Sequence, residues 1–162
     1  MAYCVFRSDL MSGTDDASAL VSCRVYDNTG KAIAVENGTI VELLGYEDGQ
    51  REVMKAVLAT ANSNKARCAV IGSEEVMYDE RKKNLDEFIN EAGAICRGYI
   101  PRSQNKFSVT KEGFVGGVVP EKNAAVGIGE GGKLDADPTK PLGVCLAVED
   151  AHRYTYYVIC VD

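Results

Sequence analysis

The apolar positions of this chain recur mostly with a period of two. In "ALVSCRVY", Val21, Cys23 and Val25 follow Ala19 on one side, while Leu20, Ser22, Arg24 and Tyr26 take the other. Alternation of this kind predicts a strand with one buried face. "DNTGK" then supplies Asn28 and Gly30 for a turn, and "KAIAV" resumes extended structure. "ENG" is a second turn, with Gly38 available for a positive φ, and it leads into the strand "TIVELL". "REVMKAVLAT" (Arg51 to Thr60) suits a short helix or a strand, and Val53, Lys55 and Val57 tilt the reading towards strand. "ARCAVIGS", "EVMY", "KFSVT" and "FVGGVV" are further brief extended runs. Strands recurring at this rate between Gly, Asn and Ser predict an all-β framework, a barrel or a sandwich.

One segment changes period. Over Asp79 to Gly98 the apolar residues Leu85, Phe88, Ile89, Ala92, Ile95 and Cys96 follow the spacing of a helix with one buried stripe. Asp79 suits an N-cap and Gly98 a C-terminal stop. Burying Leu85, Phe88, Ile89 and Ile95 would contribute roughly 1.5–3 kcal/mol each before the entropy cost. The helix is expected to lie over an open face or end of the sheet. Near the C-terminus, Val144 to Val148 and Arg153 to Val161 flank "EDAH", which predicts a hairpin with a four-residue connection. Its last strand is apolar on both faces and needs two covers: the core, and either the helix or a neighbouring molecule.

The expected fold is therefore mainly β with one amphipathic helix (α+β): a small β-barrel or sandwich with an N-terminal arm and a helix packed on it. Residues 1–16 read as the arm, ending in the turn-rich "SGTDD", and residues 17–162 as a single β-rich domain with its helix at about 79–97.

Composition narrows the function. The chain has 162 residues, 46% apolar and 26% charged, the proportions of one folded domain rather than a disordered chain. A net charge of −6 argues against nucleic acid as partner, since phosphate contacts need a basic face. No run approaches the roughly 18 apolar residues of a membrane span, and the N-terminus lacks a signal pattern, so a protein working or assembling in cytoplasm is expected. Cys4, Cys23, Cys68, Cys96, Cys145 and Cys160 form no C-x-x-C pair and read as small buried hydrophobes, with one reactive thiol as the alternative.

The most suggestive motif is "VGIGEGGKL", where Gly127, Gly129 and Gly132 have the spacing G-x-G-x-x-G and Lys133 follows. A dinucleotide loop must open a helix, yet Pro138 and Pro141 interrupt what comes next. Leu134 also stands where a phosphate loop needs a hydroxyl. The stretch is expected to be an exposed connection, with Glu130, Asp135 and Asp137 as a solvated acidic loop rather than a calcium site. His152, the sole histidine, falls in the expected hairpin turn, and Glu80 to Lys83 read as a solvated face. No catalytic, cofactor-binding or metal-binding residue is therefore assigned.

An irregular arm, the element "VENGTIVEL", the turn "VGIGEGGKL" and a closing strand "RYTYYVICV" together resemble the head decoration (cement) proteins of tailed bacteriophages. The resemblance covers the arm, the ENG turn and the last fifty residues or so, and a helix at 79–98 is not part of a minimal decoration barrel. It implies a non-enzymatic virion protein that binds and stabilises the outer surface of the major capsid protein shell, as a homo-oligomer and often a trimer, without nucleic acid or membrane, after assembly in host cytoplasm. Tyr3, Phe6 and Arg7 are of the residue types that anchor interfaces and are the candidates for partner binding; Tyr3 and Phe6 would equally suit the protein's own barrel. The competing classes are a small cytoplasmic enzyme or ligand-binding β-barrel, with a thiol near Cys145 or Cys160 in its pocket, and a tail or neck component of a virion.

Overall fold

Period-two alternation governs the architecture. The computed structural model describes residues 1–11 and 16–162, and among these the regular elements are strands and short 3-10 turns, with no α-helix. In chain order the strands are β1 (Phe6–Leu10), β2 (Leu20–Tyr26), β3 (Ile40–Tyr46), β4 (Val53–Leu58), β5 (Cys68–Ile71), β6 (Cys96–Tyr99), β7 (Lys106–Val109), β8 (Ala125–Ile128), β9 (Leu134–Asp135), β10 (Pro141–Ala151) and β11 (Tyr154–Val161).

Five of them close a barrel in the order β2-β4-β3-β5-β6, with β2 and β4 parallel and the other pairs antiparallel. Closure removes the strand edges that an open five-stranded sheet would expose. The remaining six form an antiparallel sheet in the order β1-β7-β11-β10-β8-β9. The fold is thus mainly β, a barrel with a sheet packed on it.

Two apolar clusters hold it together. Val25, Val35, Val41, Leu43, Ala56, Ala69 and Ile71 fill the barrel, together with Cys23 and Cys96. Ile40, Cys68 and Val70 instead join Phe107, Val109, Phe114, Ile159 and Val161 between barrel and sheet. β5 therefore serves both cores: Ala69 and Ile71 point into the barrel, Cys68 and Val70 point at the sheet, and all four are buried. Its unbroken apolar run follows from having no solvent side.

Several expectations are met. β2 turns Val21, Cys23 and Val25 inward, "REVMKAVLAT" is the strand β4, and β10 and β11 form the C-terminal hairpin. The hairpin turn is two residues, His152 and Arg153, rather than four, because Glu149 and Asp150 stay paired with Tyr156 and Thr155. "KAIAV" makes only isolated bridges, and "EVMY" and "FVGGVV" are not strands.

The helix expected at 79–97 is absent. Asn84 and Glu87 make a reciprocal capping box, but only one 3-10 turn follows (Leu85–Glu87), and Phe88 is already extended. Asn90 is drawn inward instead, its amide donating to the Val35 carbonyl and to Asn37 Oδ1, both inside the protein. Gly93 turns the chain at φ +83°, and Cys96 then opens the strand that closes the barrel against β2. Leu85 and Ile95 remain exposed, so the helical stripe has no common core to face. Gly98, rather than stopping a helix, sits in β6, where a Cβ would press on Val21 and Ala69. Helix periodicity here lost to the pairing that the barrel requires, the usual way tertiary context overrides local preference.

Candidate functional site

The glycine-rich stretch is a packing device. Val126, Gly127, Ile128 and Leu134 are buried in β8 and β9, so this segment is not the exposed connection its composition suggests. Gly127 lies against Pro138 and the Lys140 carbonyl, and Gly132, at φ +73°, lies against the Ile40 carbonyl of the barrel. Two of the glycine amides a phosphate loop would use are already committed: Gly132 N–H donates to the Ala59 carbonyl at 3.0 Å and Gly129 N–H to the Lys133 carbonyl at 2.8 Å. Lys133 Nζ donates to the Glu112 carbonyl at 2.7 Å and lies 3.7 Å from Glu36 Oε1. The loop's donors and its lysine thus tie the sheet to the barrel and the ENG turn. Asp135 Oδ1 accepts from the Asp137 amide. Among the described residues, no three His, Cys, Asp or Glu side chains gather as a metal site requires.

The titratable candidates are dispersed. All six cysteines are buried and free, and His152 stands exposed on the hairpin turn at φ +55°. Burial, reinforced by the Glu36 charge, pushes the Cys4 thiol up to about 12, and burial beside Cys96 does the same for Cys23. Burial raises Cys68 and Cys96 to about 11, and raises Cys145 as well. Such thiols hold almost no thiolate, the form that reacts.

Two outcomes follow. A thiol-specific disulfide reagent at pH 8 is expected to leave the native protein unlabelled over minutes and to modify all six cysteines once guanidinium unfolds it; fast labelling of one native thiol would favour the enzyme reading. The native state also keeps these protons after the unfolded chain, titrating near 9, has released them. Stability from the thiols is therefore full below pH 9 and lost as pH rises towards 12, which urea melts across that range will register as a falling midpoint.

The arm residues part company. Phe6 is buried between Tyr99 and Phe107, its ring centroid 6.0 Å from each. Arg7 takes the other face of β1, stacked 4.0 Å over the Tyr156 ring and paired with Glu149 at 2.7 Å. Tyr3, half-buried, donates its amide to the Asp86 carbonyl. The three share a segment but not a surface. Arg7 over Tyr156 also supplies a cover for the second face of β11. Of the "SGTDD" turn, residues 12–15 lie outside the described residues; Asp16 caps a 3-10 turn and pairs with Arg102.

Two surface features are new to the structure. The first is a groove of about 440 Å³ on the outside of the barrel, lined by Tyr26, Asp27, Asn28, Leu44, Lys55 and Val57 among others. Beside it Tyr26 donates to Glu47, which also binds Arg24 and is held below the usual carboxylate range by these partners. The doublet Leu43-Leu44 was the available signal, since neighbouring residues in a strand face opposite sides and one leucine had to point outward. The second is the loop Val115 to Val119, where Gly116 and Gly117, both at positive φ with open space around them, turn the chain and leave three valines exposed. Phe114 on one side and Pro120 on the other are buried and anchor its ends. Comparison with family models, with curated proteins and with solved structures returns no match for this chain.

Proposed function

We propose that the chain is a non-enzymatic virion structural protein that binds and stabilises the outer surface of a phage capsid. The observation that carries the reading is the Val115 to Val119 loop: two glycines and three valines held between buried anchors, with Val118 66% exposed at the tip and Val115 and Val119 36% exposed beside it. Exposed apolar residues clustered on a rigid support mark contact sites for other proteins. The burial of every cysteine and the isolation of His152 are consistent with a role in adhesion rather than catalysis. With several copies engaging a repeating shell, even weak loop contacts would be multiplied by effective concentration.

The test is co-sedimentation with assembled heads of the wild type and of a variant with Val115, Val118 and Val119 all changed to Ser. Val118 is 66% exposed but Val115 and Val119 only 36%, so the variant's unfolding free energy from urea melts is expected to fall by about 1–2 kcal/mol, leaving it folded, while head binding falls at least about tenfold. Undiminished binding by a folded variant would take the loop out of the mechanism; no binding by the wild type would end the capsid reading. One observation favours a second reading, a ligand-binding barrel: the groove at Tyr26, Leu44 and Lys55 has an apolar floor and a cation at its rim. A fragment titration that saturates and shifts these three residues, alongside a failure to bind heads, would select it.

A further inference from the structure

The C-terminal hairpin reaches beyond the sheet that carries it. β8 pairs with β10 only over Pro141 to Val144, and the bonds that Cys145 makes with Asn123 and Ala124 are the last on that side. From Ala147 to Ala151 the strand continues with β11 alone. The direction of its free groups follows from the turn. Ala151 and Tyr154 flank a two-residue connection and so exchange both backbone bonds, as then do Glu149 with Tyr156 and Ala147 with Val158. Val148 and Asp150 fall between those pairs, so their N–H and C=O groups point away from β11. Among the described residues, nothing bonds the main chain of either. Val148, Glu149 and Asp150 are all exposed.

We infer that this edge, from Ala147 to Ala151, accepts an added antiparallel β-strand from another protein, an extended segment in which Lys or Arg stands two residues before a β-branched apolar residue, so that the two lie opposite Asp150 and Val148 on one face. Four outward backbone groups supply the ladder, Val148 offers an apolar neighbour and Asp150 a negative one. A second copy of this chain is a poor occupant. An antiparallel pairing that uses both residues sets Glu149 opposite Glu149, or one step along Asp150 opposite Asp150. The remaining register runs into the bulge between Cys145 and Ala147. Like charges directly opposite destabilise a pair, and bulges and edge charges are the devices by which native sheets refuse their own kind. A basic strand meets neither obstacle. The inference stands on the edge itself and not on the capsid reading.

The experiment uses the intact protein and a capped hexapeptide, Thr-Lys-Thr-Val-Thr-Thr, with Thr-Glu-Thr-Val-Thr-Thr as its counterpart, followed by amide hydrogen exchange. At saturation the lysine peptide is expected to slow the Val148 and Asp150 amides about tenfold or more, leaving Ala147 and Glu149, already bonded to β11, unchanged. The glutamate peptide should do nothing at the same concentration. Val148→Pro removes an outward donor without touching the β11 ladder, so the variant should fold with wild-type stability yet lose the effect. Asp150→Lys should transfer binding to the glutamate peptide. Absence of protection at Val148 and Asp150, or protection that survives Val148→Pro in a folded variant, overturns the inference. So does protection by both peptides alike.

Discussion

Gly132→Ala is expected to destabilise the protein by at least about 3–5 kcal/mol, enough to leave much of a domain of ordinary stability unfolded. Two costs coincide at this position. The backbone sits at φ +73°, where a side chain costs about 1–2 kcal/mol. A Cβ would also overlap the Ile40 carbonyl oxygen and press on Thr39 Cγ2 at 2.8 Å, and neither can retreat, because Ile40 is fully buried in the wall shared by both cores. The matched control is Gly131→Ala. Gly131 has a similar φ of +65° but open space around it, so only the conformational cost of about 1–2 kcal/mol remains. Urea melts of the two variants give the comparison directly. Equal destabilisation would mean that the glycines serve turn geometry alone and that barrel and sheet do not meet at Gly132.

That contrast also locates what could be read from the residues and what could not. Where a strand has one solvent face, its pattern is plain: Val21, Cys23 and Val25 against Ser22, Arg24 and Tyr26 locate β2 and its inner side. The last strand likewise announced its two apolar faces through Tyr156, Tyr157, Ile159 and Cys160. Patterns failed where a contact distant in sequence set the structure. Nothing local reveals that Asn90 must reach Val35 and Asn37, or that Cys96 must close a barrel with β2, so the stripe from Leu85 to Ile95 imitates a helix. The Gly127 to Gly132 spacing imitates a nucleotide loop for a related reason, since close approach to a backbone calls for glycine whether that backbone is a partner strand or the anion is a pyrophosphate. Of the two proposed contact surfaces, the Val115 to Val119 run was visible as composition, but its place at the surface depended on positive φ at Gly116 and Gly117. The free edge of β10 was not legible at all, because it is defined by where β8 stops.

Phe6→Ala is expected to cost about 3–5 kcal/mol, the range for truncating a buried aromatic, whereas Arg7→Ala one residue on should cost about 1 kcal/mol. Phe6 fills the seam between sheet and barrel, touching Phe107 of β7 and Tyr99 of β6, and its ring is what a Cβ on Gly72 would strike at 2.5 Å. Its neighbours deepen the commitment: Cys4 and Val5 are buried too, Cys4 N–H donates to Glu36 Oε2 at 2.7 Å, and Val5 N–H donates to Thr110 Oγ1. Arg7 loses its ion pair with Glu149, its stack on Tyr156 and a hydrogen bond to Ser108 Oγ. A deletion of the first eleven residues therefore removes a strand of the fold along with any contact it makes outward, and failure of such a truncation to bind heads would report unfolding as readily as a lost anchor. Arg7→Ala separates the two. If it keeps the wild-type unfolding free energy within about 1 kcal/mol and still binds heads, Arg7 is not the contact through which this segment meets its partner. If it folds and releases the heads, Arg7 is the residue through which this segment meets its partner.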